Sequence, residues 1–146
     1  MQFEKTVCTS VQQTLRLAEE FAKNLQGGDV VLLTGELGAG KTHFVKGMAR
    51  ALGVEDVVTS PTFALHNSYQ GSTFTLNHFD FYRIQAEEAE ILGLNEFFFD
   101  KSGVCAVEWW QNVKPLLPKR CIEVLLEKQG DSRVVTIKER LSTSKV

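Results

Sequence analysis

Apolar residues recur at Val11, Leu15, Ala18, Ala22 and Leu25, a spacing that puts them on one face of a helix. The pattern predicts an amphipathic helix from Ser10 to about Gln26, stopped by Gly27-Gly28. Ser10-Val11-Gln12-Gln13 fits a capping box, in which the Ser10 hydroxyl accepts a first-turn N–H and the Gln13 side chain reaches back. The period then changes. Val30-Val31-Leu32-Leu33 is continuously apolar and partly β-branched, as in a strand buried on both faces, and it runs into a glycine-rich turn. A second helix is expected from Lys41 to about Leu52.

Further along, Val57-Val58 reads as a brief strand, and Pro61 biases Ser60 towards extended geometry, so Thr59–Phe63 is placed in a loop at a strand edge. Gln70-Gly71-Ser72 reads as a hairpin turn between strands near Phe63–Tyr69 and Thr73–Phe81. Ala86–Gly93 has the pattern of a short acidic helix, and Val104–Val107 that of another buried strand. Ile122–Glu127 and Val134–Lys138 form a hairpin across Gly130-Asp131. These elements predict an α/β fold of the P-loop NTPase type, a three-layer sandwich around a mixed sheet that is parallel at its centre.

With 146 residues, 43% of them hydrophobic and 23% charged, the chain is expected to form one domain with a real core. Its apolar runs are too short to span a membrane and its start lacks a signal-peptide pattern, so a cytoplasmic protein is expected. Residues 138–146 are polar enough to fray. Cys8, Cys105 and Cys121 lack the close pairing of zinc or redox motifs and read as buried thiols. A formal net charge of −2 argues against a broad basic face, so any nucleic-acid role is expected to run through a partner.

The chemistry is concentrated in Gly35-Glu36-Leu37-Gly38-Ala39-Gly40-Lys41-Thr42, which matches G-x-x-x-x-G-K-[ST] and lies between a predicted strand and a predicted helix. There the glycines let backbone N–H groups close around phosphates at a helix N-terminus. Lys41 would neutralise β- and γ-phosphate oxygens, Thr42 would offer its hydroxyl to magnesium, and His43 would add an N–H. The alternative is an ordinary glycine-rich turn. Hydrolysis also needs a carboxylate near the metal and a group that positions water. Glu108 ends the strand Val104–Val107 as a Walker-B acid does, unless it is merely an acid at a strand end. In Asn77-His78-Phe79-Asp80-Phe81-Tyr82-Arg83, alternation puts His78, Asp80 and Tyr82 on one side, facing either the nucleotide or solvent. Asp80 would hold magnesium through water or orient the attacking water. Trp109-Trp110 and Phe97-Phe98-Phe99 serve either the core or a partner.

Together, Gly-Glu-Leu-Gly-Ala-Gly-Lys-Thr at 35–42, Thr-Ser-Pro-Thr-Phe at 59–63, His-Phe-Asp-Phe-Tyr-Arg at 78–83 and Val-Glu-Trp at 107–109 resemble the bacterial TsaE (YjeE) family over nearly the whole chain. The resemblance implies an ATPase, using ATP/ADP and Mg2+, needed for threonylcarbamoyladenosine at position 37 of tRNAs that read codons beginning with A. It also implies work with TsaD- and TsaB-type subunits of the threonylcarbamoyl transferase, through which tRNA is met. Carried over, Lys41 and Thr42 hold phosphate and magnesium, Asp80 and Glu108 serve metal and hydrolysis, and Thr59, Ser60, Pro61, Thr62 and Phe63 form a nucleotide-sensing switch. Ser10 and Arg133 either reach the adenosine half or act only as helix N-cap and solvated hairpin charge. Two other functions fit a P-loop: a small-molecule kinase, for which no Arg-rich lid segment is legible, and a binding switch without turnover. The absence of Asn-Lys-x-Asp favours ATP over GTP.

Overall fold

The computed structural model describes residues 5–61 and 64–141. Among these residues seven strands form one sheet: β1 (Thr6–Cys8), β2 (Val30–Thr34), β3 (His66–Tyr69), β4 (Thr75–Asp80), β5 (Gly103–Glu108), β6 (Arg120–Gln129) and β7 (Ser132–Leu141). Their spatial order is β1-β7-β6-β2-β5-β4-β3. The four central strands β6, β2, β5 and β4 run parallel, while β1–β7, β6–β7 and β3–β4 pair antiparallel. Helices α1 (Val11–Ala22) and α2 (Lys41–Ala51) cover one face, and α3 (Ala86–Ile91) with 3-10 turns over Leu94–Phe99 and Trp110–Leu116 covers the other.

Each face has its own core. Val31, Leu33, Leu76, Ala106 and Ile122 meet Ala18, Phe21, Phe44 and Met48 of the helices on one side. Val30, Leu32, Phe79, Cys105 and Val107 meet Ala89, Phe98, Trp110 and Val113 on the other. Strand alternation, with apolar residues at both parities in β2 and β5, produces the three layers expected.

Helices α1 and α2 approach closely at Gly47. A Cβ built there would stand 2.5 Å from the Leu15 carbonyl oxygen and 2.6 Å from the Ala18 Cβ. Gly47→Ala is therefore expected to destabilise the fold by about 1–3 kcal/mol, because steric displacement outweighs a helix-propensity gain of at most about 1 kcal/mol. A lower denaturant midpoint with an unchanged slope is the measurement that checks it.

The structure revises several boundaries. Helix α1 ends at Ala22, after which Asn24 and Leu25 donate to carbonyls three residues back and tighten the last turn. Ser10 caps it, accepting from Gln13 N at 3.2 Å, but the Gln13 side chain reaches Thr9 N at 2.7 Å instead of Ser10. Val57-Val58 forms no strand. Val58 is buried and Val57 exposed, and the neighbouring Thr59 N–H and carbonyl bond the Tyr69 hydroxyl at 3.1 and 3.2 Å in place of a strand partner. The strand expected from Phe63 begins at His66, since Ala64 and Leu65 turn back to the Pro61 carbonyl. Phe63 itself lies outside the described residues.

Lys138–Leu141, largely polar as they are, form the end of β7, paired with Glu123 to Arg120 of β6. Their charges are used there: Glu139 pairs with Arg120, and Arg140 lies 4.8 Å over the Trp110 ring and 3.7 Å from Glu123. Residues 142–146 lie outside the described residues.

All three cysteines are free and buried. Burial pushes the Cys105 thiol from the ordinary 9.0 up to about 12, and Cys121 up to about 11. Because the folded values lie above the unfolded one, the stabilisation is complete below pH 9.0 and is lost as the pH rises through about 11 to 12. A thiol reagent at about pH 8 is expected to label both slowly in the native protein and rapidly after denaturation.

Candidate nucleotide site

Three parallel strands deliver their C-terminal ends to one place, the edge where ligands of open α/β sheets bind. β2 ends at Thr34 and its chain reverses through residues 35–40 into α2. Gly40 supplies the N-cap at φ 106°, a conformation side chains rarely adopt, and no side chain caps the helix. The first amides of α2 thus remain directed at the loop's concavity, with the positive end of the helix dipole behind them. Lys41 folds back over the loop, its Nζ donating to the Gly35 carbonyl at 2.7 Å and standing 3.8 Å from Glu108 Oε1.

The carboxylates come from the neighbouring strands. In the β4–β5 ladder Asp80 is paired with Glu108, and Glu108 is also paired with Leu33 at the end of β2. Both acids lie on the α2 side of the sheet, in step with Leu76 and Ala106, and are only 6% and 7% exposed. Asp80 Oδ1 accepts the Tyr82 N–H at 2.9 Å, and Glu108 Oε2 bonds His78 Nε2 at 2.8 Å.

A cleft of about 1050 Å3 opens over these groups. Gly35, Glu36, Leu37, Gly38, Gly40, Lys41, Thr42 and His43 line it, with Asp80 and Glu108 on one wall and Ser10 and Arg133 on another. Ala39 does not line it: the residue is fully buried, and its N–H donates to the Glu36 carbonyl at 3.0 Å inside the loop. Ser10 both caps α1 and faces the cleft. Arg133 donates to the Gly38 carbonyl at 3.2 Å, so it is a clamp on the loop and not a free hairpin charge. Ser60 reaches the lining, Thr59 is tied to Tyr69, and Pro61 is buried; Thr62 and Phe63 lie outside the described residues.

The expected polar row is interrupted at His78. Asp80 lines the cleft and so does Tyr82, which lies past the strand end, 58% exposed, with its ring 4.8 Å from that of Trp109, whereas His78 is wholly buried beneath the cleft. The aromatic runs also divide. Trp110 and Phe98 enter the core, whereas Phe99 is exposed and Trp109, half-exposed, lines the cleft beside Tyr82. Trp109 sits at φ 56°, a strained turn that lets the chain place successive tryptophans on opposite sides and lets Trp110 Nε1 donate to Thr34 Oγ1 at 2.9 Å.

Cys8, Val11, Thr14 and Asp131 also line the cleft and had no motif to announce them. Their nearness depends on β1, a three-residue strand that sets Cys8 opposite Arg133 and is too short to show a period. Chemically, the loop amides, Lys41 and Arg133 suit a polyanion, while Thr42, Asp80 and Glu108 offer the hard oxygen donors that a small divalent cation takes beside water. Among the described residues no three His, Cys, Asp or Glu side chains form a metal-holding cluster.

The sequence profile described as "Threonylcarbamoyl adenosine biosynthesis protein TsaE" matches residues 8–136, which include the loop, both carboxylates and Arg133. The chain belongs to the TsaE family. It is 40% identical to the "tRNA threonylcarbamoyladenosine biosynthesis protein TsaE" of Bacillus subtilis over 120 residues, 82% of this chain and 75% of that one. It is 38% identical to the protein of the same description from Treponema pallidum over 135 residues, 91% of this chain and 98% of the other. The crystal structure of Bacillus subtilis YdiB superposes with a TM-score of 0.81 at 33% identity, covering 97% of this chain and 88% of that one. The TsaE fold seen here contains, among the described residues, no helix long and apolar enough to cross a membrane.

Proposed function

We propose that this TsaE-family chain binds and hydrolyses ATP as an accessory protein in the formation of threonylcarbamoyladenosine at position 37 of tRNA. The relatives' names support the pathway. The observation that carries the hydrolytic reading is the pairing of Asp80 with Glu108 across β4 and β5, directly beside Lys41 and the α2 N-terminus.

In this reading the loop amides and Lys41 hold the β- and γ-phosphates, and Arg133 and Ser10 lie towards the nucleoside. Thr42 and Glu108 would hold magnesium, which when bound offsets charge on the phosphate oxygens. Asp80 accepts a hydrogen bond from the attacking water and orients it towards the γ-phosphorus. The place of Ser60 on the cleft wall supports reading Thr59–Phe63 as the segment that distinguishes ATP from ADP and passes that state to a partner. The partners are TsaD- and TsaB-type subunits, and the acidic chain meets tRNA through them.

The test is a reconstituted modification reaction containing tRNA, threonylcarbamoyl donor and TsaB–TsaD, with modified nucleoside measured over repeated turnovers. Wild-type chain is expected to sustain modification and Lys41→Ala is expected not to. Equal yields with and without the chain would refute the role, and ATP-dependent phosphorylation of a small acceptor would favour a kinase instead.

A further inference from the structure

We propose that His78 is a positioning residue for the cleft: by holding one oxygen of Glu108, it determines which oxygen Glu108 presents to a magnesium-bound nucleotide. The inference rests on the nucleotide reading above and assigns a role to a side chain which that reading leaves unused.

His78 is 0% exposed and has no access to the cleft. Its Nε2 is 2.8 Å from Glu108 Oε2, while the other carboxylate oxygen, Oε1, points towards Lys41 Nζ at 3.8 Å. The two oxygens of Glu108 are therefore differentiated, one bound inside the sheet layer and one facing the ligand side. The strand register explains how the ring gets there. His78 is paired with Ala106, two residues before Glu108 and on the same face, and alanine leaves room for an imidazole beneath the carboxylate.

The other ring nitrogen has no hydrogen-bond partner among the described residues. Hydrogen-bond matching favours one tautomer. A hydrogen on Nδ1 would leave a buried donor unsatisfied and set a bare Nε2 lone pair against a carboxylate. A hydrogen on Nε2 donates to Glu108 and leaves only a lone pair unpaired. Thus the single hydrogen bond the ring makes is directed at Glu108, which is the arrangement of an outer-shell group that orients a ligating carboxylate.

The experiment compares His78→Phe, which keeps a buried ring but no donor, with His78→Gln, which restores an N–H. The readout is the magnesium concentration that half-saturates binding of a fluorescent ADP analogue, alongside ADP affinity without magnesium. His78→Phe is expected to raise the magnesium requirement about tenfold or more while metal-free ADP affinity stays within about twofold. His78→Gln is expected to return the requirement to within about threefold of wild type. In a Glu108→Ala background the His78→Phe effect is expected to vanish, because there is no carboxylate left to hold.

A folded His78→Phe with the wild-type magnesium requirement, or the same shift in the Glu108→Ala background, would overturn the proposal. Should His78→Phe fail to fold, nitrogen NMR of histidine-labelled wild type decides: the hydrogen is expected on Nε2, with a resonance that moves when magnesium is added to the ADP complex. A hydrogen on Nδ1, or a resonance indifferent to magnesium, contradicts it. Wild-type protein whose nucleotide binding ignores magnesium would remove the underlying nucleotide reading, before His78 comes into question.

Discussion

Lys41→Ala is expected to lower ATP turnover by about 10²–10³-fold, the usual loss when one preorganised donor is removed from a developing charge. The side chain is already arranged for this work. It is held by the Gly35 carbonyl at 2.7 Å and Glu108 at 3.8 Å, with 17% of it exposed, so a ligand phosphate would meet an ammonium that needs little reorganisation. The ion pair with Glu108 also means that deletion leaves a mostly buried carboxylate without its cation, so some loss of stability should accompany the loss of turnover. Phosphate release under saturating ATP, with the melting temperature measured in parallel, separates the two effects. Turnover within about threefold of wild type would remove the phosphate-loop assignment.

The second large effect distinguishes the two acids. Glu108→Ala is expected to raise the magnesium requirement and slow hydrolysis together, because the carboxylate adjoins Lys41 and the end of β2, next to the loop that bears Thr42. Asp80→Asn is expected to slow hydrolysis about 10²–10⁴-fold, the range for losing a positioned acid–base group, with nucleotide affinity close to wild type. Its Oδ1 already accepts the Tyr82 N–H at 2.9 Å, which holds the carboxylate at the strand end and which an Asn oxygen can reproduce. Rates and nucleotide affinities measured across a magnesium series check both. If Asp80→Asn loses nucleotide and excess magnesium restores it, Asp80 is the metal group and Glu108 the candidate for positioning water.

The elements of this fold that were legible in the sequence are those with a strong local period. The stripe on α1, the apolar runs of β2 and β5 and the β6–β7 hairpin need no distant partner to be read. The glycine-rich loop was legible for a different reason: its motif sets particular residues at fixed spacing, and the predicted strand and helix on either side of it are both present. Glu108 and Asp80 were legible as candidates because each ends a strand pattern, but their adjacency is a property of the β4–β5 register, which no local pattern encodes.

What escaped was whatever depends on tertiary pairing. β1 is three residues long, Val57-Val58 forms no strand while the neighbouring Thr59 backbone bonds the Tyr69 hydroxyl, and Lys138–Leu141 continue the β6–β7 ladder, with ion pairs to Arg120 and Glu123, despite their polarity. His78 illustrates the same point inside the site. The alternation placed it correctly with Asp80 on one side of β4, yet only burial and the 2.8 Å contact to Glu108 distinguish a ring under the cleft from one facing it.

The claim on which everything else depends is that the cleft over Lys41, Thr42, Asp80 and Glu108 takes a magnesium-bound adenine nucleotide, and calorimetric titration tests it most directly. ADP is expected to bind wild-type chain at one saturable site, more tightly with magnesium than without, in competition with ATP but not GTP, and Lys41→Ala is expected to abolish it. Absence of saturable binding at about millimolar ADP, where affinities as weak as about −4 kcal/mol still register, or equal binding by Lys41→Ala, would contradict the account.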